Sequence, residues 1–363
     1  MNLRQFLLWF HLVTGLAAAL ILVLLGASGA EMVFENEIDH ALNASLYRVQ
    51  PQDTRLSLDE LVTKAESANP GARATLLNLP DEDGIACVVS LKPPQGKTLT
   101  VTTNPYTGEV IGSLEHANSF TKKVHQFHLN LLLQNRETGS LIQAWGSVLL
   151  IGLAITGIVL WWPRKLWSFG GRKATGRWSF DLHNVLGFYT SVFMLIFGIT
   201  GVVIHWENQA MQLVGNLSGQ PLPLPPPKPS PAVPGAKPLT ASAVWTAATK
   251  AVPGAKVVTI QNLGSVAPLR VTMRFPEDRT PAGRTNVYLH PTTGEVLSAQ
   301  SSRTAPAPYR LVKLWNRQFH TGDILGWPSR IIAALASASL PFLAITGPWI
   351  WVRRLIRKRK VTP

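Results

Sequence analysis

Two histidines, His11 and His183, each open an apolar run about one bilayer thick, and the two runs align without a gap. Residues 10–35 read FHLVTGLAAALILVLLGASGAEMVFE and residues 182–207 read LHNVLGFYTSVFMLIFGITGVVIHWE. Gly15, Gly26, Gly29 and Glu35 thus recur as Gly187, Gly198, Gly201 and Glu207. A second couple, His128 and His320, precedes the other two apolar runs, at nearly equal distances from Ala154-Ile-Thr-Gly157 and Ala344-Ile-Thr-Gly347. Histidine in a membrane span is costly and marks a site by default. Two imidazoles facing each other offer axial ligands to one flat metallocycle. Iron ligated in this way keeps no open position, which suits electron transfer better than oxygen chemistry. Gly15 and Gly187 each follow their histidine by four residues, on the same helical face, where a missing side chain would admit a ring laid against the backbone. The expected cofactor is haem b, two per chain, with His11 and His183 on one iron and His128 and His320 on the other.

Each of these residues also has an ordinary reading. A lone histidine at a helix end is more often interfacial than a ligand, and glycines at helical spacing more often serve helix packing. The matched pairs with matched glycines favour ligation. His125 lies one helical turn before His128 and is a rival outer ligand. His205 ends the third apolar run where the first has Val33, and is expected at an interface or beside a substrate. A further alternative groups His125, His128 and His320 around a single metal ion. His290 stands in its repeat where Asn104 stands and is read as a surface strand histidine. No G-x-G-x-x-G, P-loop, nucleophile elbow or HExxH is present, so electrons would arrive from a quinol or a cytoplasmic reductase.

The elements that must position these histidines follow from the rest of the chain. Of 363 residues, 46% are apolar and 15% charged, with a net charge of +14. The basic residues flank apolar runs: Arg164, Lys165, Arg172, Lys173 and Arg177 after the second, and Arg353, Arg354, Arg357, Lys358, Arg359 and Lys360 after the last. That is the positive-inside pattern of a lipid-embedded protein and not a nucleic-acid footprint, and it places both termini in the cytoplasm. The single cysteine, Cys87, excludes an intrachain disulfide and a CxxCH haem attachment. Ser28-Gly29-Ala30 resembles a leader cleavage site, but the length of the run and its internal copy favour a retained helix.

The predicted order is a membrane helix in residues 1–35, an outer domain in 36–118, an interfacial helix and second span in 119–162, and a basic cytoplasmic loop in 163–179. A third span in 180–207, a Pro-rich linker in 208–238 and a second outer domain in 239–300 follow. An interfacial segment with the last span occupies 301–352, and a basic tail 353–363. Ser57-Leu-Asp-Glu60 reads as a capping box opening a helix, and Arg136-Glu-Thr-Gly139 as the interruption between the interfacial helix and the second span. Asn104-Pro-Tyr-Thr-Gly-Glu-Val110 and His290-Pro-Thr-Thr-Gly-Glu-Val296 mark hairpin turns in the two outer domains. The whole is a duplication. The expected fold class is an α-helical membrane protein with α+β extramembrane domains, its four spans arranged as two parallel repeats about an axis along the membrane normal.

His11-Leu-Val-Thr-Gly15, Phe127-His128-Leu-Asn-Leu-Leu132, Leu182-His183-Asn-Val-Leu-Gly187, Phe319-His320-Thr-Gly322 and the two Pro-x-Thr-Gly-Glu-Val motifs resemble the PepSY-associated transmembrane family of bacterial inner-membrane proteins. The resemblance covers nearly the whole chain. It implies four spans, periplasmic PepSY-type domains and a link to iron acquisition, some members looking like haem-containing reductases of ferric siderophores. The acceptor it implies is a ferric siderophore or other ferric chelate. PepSY domains are also similar to the propeptides of secreted metallopeptidases, which implies a different function, a membrane-tethered peptidase inhibitor or regulator. A purely structural or partner-binding subunit is the third class.

Overall fold

The computed structural model describes residues 1–114, 119–162, 178–229, 235 and 237–359, with no side chains described for 357–359. The basic loop at 163–177, Lys360 and the side chains of Arg357, Lys358 and Arg359 lie outside the described residues, as do 230–234 and 236 of the Pro-rich segment. The helices are α1 (Leu3–Met32), α2 (Glu35–Leu42), α3 (Ala44–Tyr47), α4 (Leu58–Ser67), α5 (Phe120–Asn130), α6 (Arg136–Trp161), α7 (Trp178–His205), α8 (Glu207–Ser218), α9 (Ala241–Ala251), α10 (Asn316–Thr321) and α11 (Trp327–Arg359). The strands are β1 (Arg73–Asn78), β2 (Cys87–Lys92), β3 (Leu99–Thr103), β4 (Val110–Leu114), β5 (Lys256–Gln261), β6 (Leu269–Arg274), β7 (Thr285–Leu289) and β8 (Val296–Gln300). The chain divides into two compact units. One comprises residues 1–35, 123–210 and 315–363, and the other 36–122 and 211–314.

Four helices of the first unit, Leu3–Met32, Arg136–Trp161, Trp178–His205 and Trp327–Ile356, are long and apolar enough to cross a membrane. α1 packs on α11 and α6, and α7 packs on α6 and α11, so the four close a ring. Two of these seams are built alike from a Gly-x-x-Gly. On α1, a Cβ at Gly26 would lie 2.7 Å from Pro341 and one at Gly29 would lie 2.8 Å from the Ser337 hydroxyl of α11. On α7, a Cβ at Gly198 would lie 2.6 Å from Ile151 and one at Gly201 would lie 2.6 Å from the Ser147 hydroxyl of α6. Only glycine admits backbones this close, and in lipid, where apolar burial no longer drives helices together, close packing is the main adhesive. The expected interruption at Arg136-Glu-Thr-Gly139 is instead the first turn of α6, because the Asn135 side chain accepts from Thr138 N at 3.1 Å and caps it. The break falls earlier, where Leu131 and Leu132 adopt positive φ. Gly139 then meets the end of α5 so closely that a Cβ would sit 1.9 Å from the Asn130 carbonyl oxygen.

The second unit is one eight-stranded antiparallel sheet in the order β4-β3-β2-β1-β5-β6-β7-β8. α4 and α9 lie on one face, over a core that includes Leu77, Val89, Val101, Val244, Ile260, Val271 and Val287. The Ser57–Glu60 capping box opens α4 as expected. The two outer segments therefore share a single sheet, joined where β1 pairs with β5. The register there is Leu76 with Gln261, Leu77 with Ile260 and Asn78 with Thr259. Leu77 and Ile260 are equivalent positions, so the joint is symmetric about them, and both side chains are fully buried. His290 is not on a strand: it follows β7 and its Nδ1 faces Thr293 N at 3.3 Å. It fills the role of Asn104, whose Oδ1 accepts from Tyr106 N at 2.9 Å, because either group can hold the same turn.

Truncating Ile260 to Ala removes a large side chain from the symmetric joint. In denaturant titrations of the full chain in detergent it is expected to destabilise the sheet by about 2–5 kcal/mol, while Val266→Ala at an exposed loop stays within about 0.5 kcal/mol of the parent.

Candidate functional site

Each of the four sequence-matched histidines is held in the same way. His11 on α1 places Nδ1 2.8 Å from Thr156 Oγ1 on α6. His183 on α7 places Nδ1 2.9 Å from Thr346 Oγ1 on α11. His128 on α5 places Nδ1 2.8 Å from Ser28 Oγ on α1, and His320 on α10 places Nδ1 2.7 Å from Thr200 Oγ1 on α7. Each hydroxyl also reaches back to its own helix, to the carbonyls of Gly152 at 2.7 Å, Phe342 at 2.6 Å, Leu24 at 2.7 Å and Ile196 at 2.6 Å respectively.

These distances assign the proton. Two oxygens 2.6–2.7 Å apart share a hydrogen, and a carbonyl has none, so each hydroxyl donates to its carbonyl. A hydroxyl has only one hydrogen, so toward the imidazole it can only accept. Nδ1 is therefore the protonated nitrogen, and Nε2 keeps its lone pair. That is the tautomer of a metal-binding histidine whose other nitrogen is tied to a protein acceptor.

A glycine follows every one of these hydroxyls, and each imidazole lies over it. A Cβ at Gly157 would be 3.5 Å from His11, at Gly347 3.3 Å from His183, at Gly29 3.2 Å from His128 and at Gly201 3.8 Å from His320. The site therefore uses one Ser/Thr-Gly pair on each of the four long helices. The sequence reading missed the hydroxyls, although the recurrence of Ser28-Gly29, Thr156-Gly157, Thr200-Gly201 and Thr346-Gly347 was there to be seen. Gly15 and Gly187, expected to leave room for a flat ring, line one cavity with His11 and His183, and a Cβ there would lie 3.7 Å from Leu153 and 3.5 Å from Leu343 respectively.

His11 and His183 border one cavity of about 570 Å³ between the four long helices. Its walls are apolar, among them Leu12, Leu153, Phe188 and Leu343, and Arg4 and Arg354 stand among its lining residues. Trp161 also lines it, so only Trp162 of the expected Trp pair is exposed. The His11 and His183 ring centroids are 6.4 Å apart with planes 89° to one another. Two imidazoles bound to one metal at about 2 Å each leave their centroids roughly 6 Å apart, so the spacing fits a single shared iron.

The other pair is more enclosed. Burial, with smaller contributions from His125 and Arg317, pushes His128 down to about 4. Burial, with His128 and Arg317 adding to it, pushes His320 down to about 3. Both rings are neutral at physiological pH, as ligation requires. Locks at the ends of their short helices hold them: Gln143 Nε2 donates to Phe127 O at 2.9 Å beside His128, and Asn316 Nδ2 donates to Thr200 O at 3.2 Å beside His320.

The remaining candidates are occupied otherwise. His125 Nδ1 pairs with Glu35 Oε2 at 2.6 Å, which turns it from the His128 ligand position toward α2. His205 Nδ1 meets Ser140 Oγ at 2.9 Å and its ring lies against Trp206. Among the described residues no three His, Cys, Asp or Glu side chains are grouped to hold a metal ion.

The tautomer assignment is directly measurable. In metal-free protein, nitrogen NMR of labelled histidine is expected to show His11 protonated at Nδ1. Thr156→Val removes the acceptor and is expected to shift His11 toward a mixture of tautomers, leaving His183 unchanged.

No curated protein matches the chain. The family model described as the PepSY-associated TM region matches residues 8–354, which takes in α6 and α7 whole, most of α1 and α11, both sheet halves and every histidine of the site. By that match the chain is a membrane protein belonging to the PepSY-associated transmembrane family.

Proposed function

We propose that this protein is an electron-transfer protein of the bacterial inner membrane that reduces a ferric siderophore or other ferric chelate on the periplasmic side, holding two b-type haems as two parallel repeats. The observation that carries this reading is the set of four imidazoles, each with Nδ1 hydrogen-bonded to a hydroxyl and Nε2 left as the atom that could ligate. His11 with His183, and His128 with His320, would hold one haem each, and haem held by imidazoles would supply reversible one-electron chemistry.

The chain's own residues do the rest. Thr156, Thr346, Ser28 and Thr200 fix the ring orientation and raise the basicity of the ligating nitrogens. The apolar walls around His11 and His183 exclude water, and Arg4 and Arg354 supply positive charge suited to the acidic arms of a porphyrin. The basic residues at both ends of the chain support cytoplasmic termini, which would put the sheet unit in the periplasm. Electrons would enter from a quinol or a cytoplasmic reductase. Iron(II) is held less tightly than iron(III) by hard oxygen donors, so reduction would free the metal. A peptidase-inhibitor role accounts for a PepSY-type sheet but leaves four hydroxyl-anchored histidines without work.

Protein purified from haem-replete cells is expected to be red and to give two b haems per chain by pyridine haemochrome. His11→Ala and His128→Ala are each expected to remove about half of the haem absorbance, whereas His125→Ala and His205→Ala leave it intact. Dithionite-reduced protein under anaerobic conditions is expected to be reoxidised by a ferric chelate. A colourless preparation would overturn the haem assignment, and haem without reoxidation would leave an electron carrier with another acceptor.

A further inference from the structure

The duplication supplies an internal control for the sheet unit, because each position in one half has a counterpart in the other. One cross-strand row on the face away from α4 and α9 reads Asn78, Val88, Thr102 and Gly112 in the first half. Its counterpart reads Gln261, Arg270, Tyr288 and Ser298. The first row is uncharged and is capped by an apolar side chain: a Cβ at Gly112 would sit 2.5 Å from Leu46. The second row carries a guanidinium beside a phenol. The charge balance around the rows differs in the same sense. Residues 36–118 hold eleven Asp and Glu against six Lys and Arg, while residues 239–300 hold three against six.

The neighbours of Arg270 explain why this guanidinium has capacity to spare. Its Nε donates to Asn286 Oδ1 at 3.1 Å, its one hydrogen bond among the described residues. The other contacts of Asn286 hold it in place: Oδ1 also accepts from Thr272 Oγ1 at 3.3 Å, and Nδ2 lies 3.3 Å from the Tyr309 hydroxyl. Arg270 is thus oriented through Nε, while its two terminal nitrogens, the fork that grips a carboxylate or phosphate, are uncommitted. Three acidic side chains of the sheet unit have other partners. Asp81 takes Lys256 and Arg274, Glu277 takes Arg303, and Asp278 takes Ser302. Arg284 adds a second cation, close enough to act together with Arg270 on the Tyr309 hydroxyl.

We propose that this face of β6 and β7 binds the anionic, carboxylate-bearing class of ferric chelate, with Arg270 gripping a carboxylate of the complex, Tyr288 flanking it and Arg284 adding to the attracting field. The inference rests on the ferric-chelate reading above and narrows its substrate class. The chemistry asked of Arg270 is charge-assisted, bidentate hydrogen bonding, which Lys reproduces only as a point charge.

The test is equilibrium binding of radiolabelled ferric citrate to the full chain in detergent, with a neutral ferric trihydroxamate as the comparison ligand. Arg270→Gln is expected to weaken ferric citrate binding about tenfold or more, the loss of one charge-assisted contact, and to leave the trihydroxamate unaffected. Arg270→Lys is expected to fall between, and Lys250→Gln on α9, which removes the same charge elsewhere, to leave binding unchanged. A thermal unfolding midpoint close to that of the parent shows that each variant is folded. Failure of the parent to bind ferric citrate, an Arg270→Gln variant that binds it as well as the parent, or an equal loss in Lys250→Gln would each overturn the proposal. Binding is read without electron transfer, so Arg270-dependent binding without reoxidation of reduced protein would sink the reductase reading and leave the site standing.

Discussion

The helical unit turns on one arrangement made four times, an imidazole Nδ1 against a Ser or Thr hydroxyl of a neighbouring helix that also bonds a carbonyl one turn back. Inside a helix such a hydroxyl is normally spent on its own carbonyl one turn back, and Ser28, Thr156, Thr200 and Thr346 all do this. That bond commits the hydroxyl's one hydrogen and leaves it an acceptor toward the ring, so a fold-level detail fixes the tautomer of a partner a hundred or more residues away. The glycine that follows lets the ring lie on the helix surface. A two-residue device thereby does what a loop or a carboxylate does at other histidine sites, without carrying a charge into lipid, where charges are expensive.

The same economy governs packing. Gly29 and Gly201 each serve twice, admitting a serine of the facing helix and a histidine from a short helix. Because those glycines set how closely α1 meets α11 and α7 meets α6, helix spacing and ring position are not independent. A larger residue there would open the seam and displace the imidazole in one stroke. The apolar cavity bordered by His11 and His183 is lined by all four helices of the same ring.

Much of this was legible in the sequence. The ungapped match from His11 to Glu35 against His183 to Glu207 exposed the duplication and the paired histidines, because a repeat records twofold relations that a single span cannot. The hydroxyls were harder to see. Thr156 and His11 are distant in the chain, and only the recurrence of Ser/Thr-Gly on all four long helices hinted at them. Arg136-Glu-Thr-Gly139 was misread because a charged, glycine-containing tetrapeptide looks like a break, while Asn135 caps it into a first turn. The joining of two outer segments into one sheet was not legible. Which edge strand pairs with which is decided by register and burial at Leu77 and Ile260, and neither residue announces that in its own neighbourhood.

The symmetric β1–β5 joint has a consequence for how the chain could be divided. Each half contributes two of the four hydroxyl-bonded histidines and one four-stranded piece to the sheet, so a half alone would bare β1 or β5 as an open edge. Leu77 meets its own counterpart there, so the surface is self-complementary, the geometry by which two identical subunits associate. Having both halves in one chain thus makes permanent an association that the β1–β5 pairing already specifies.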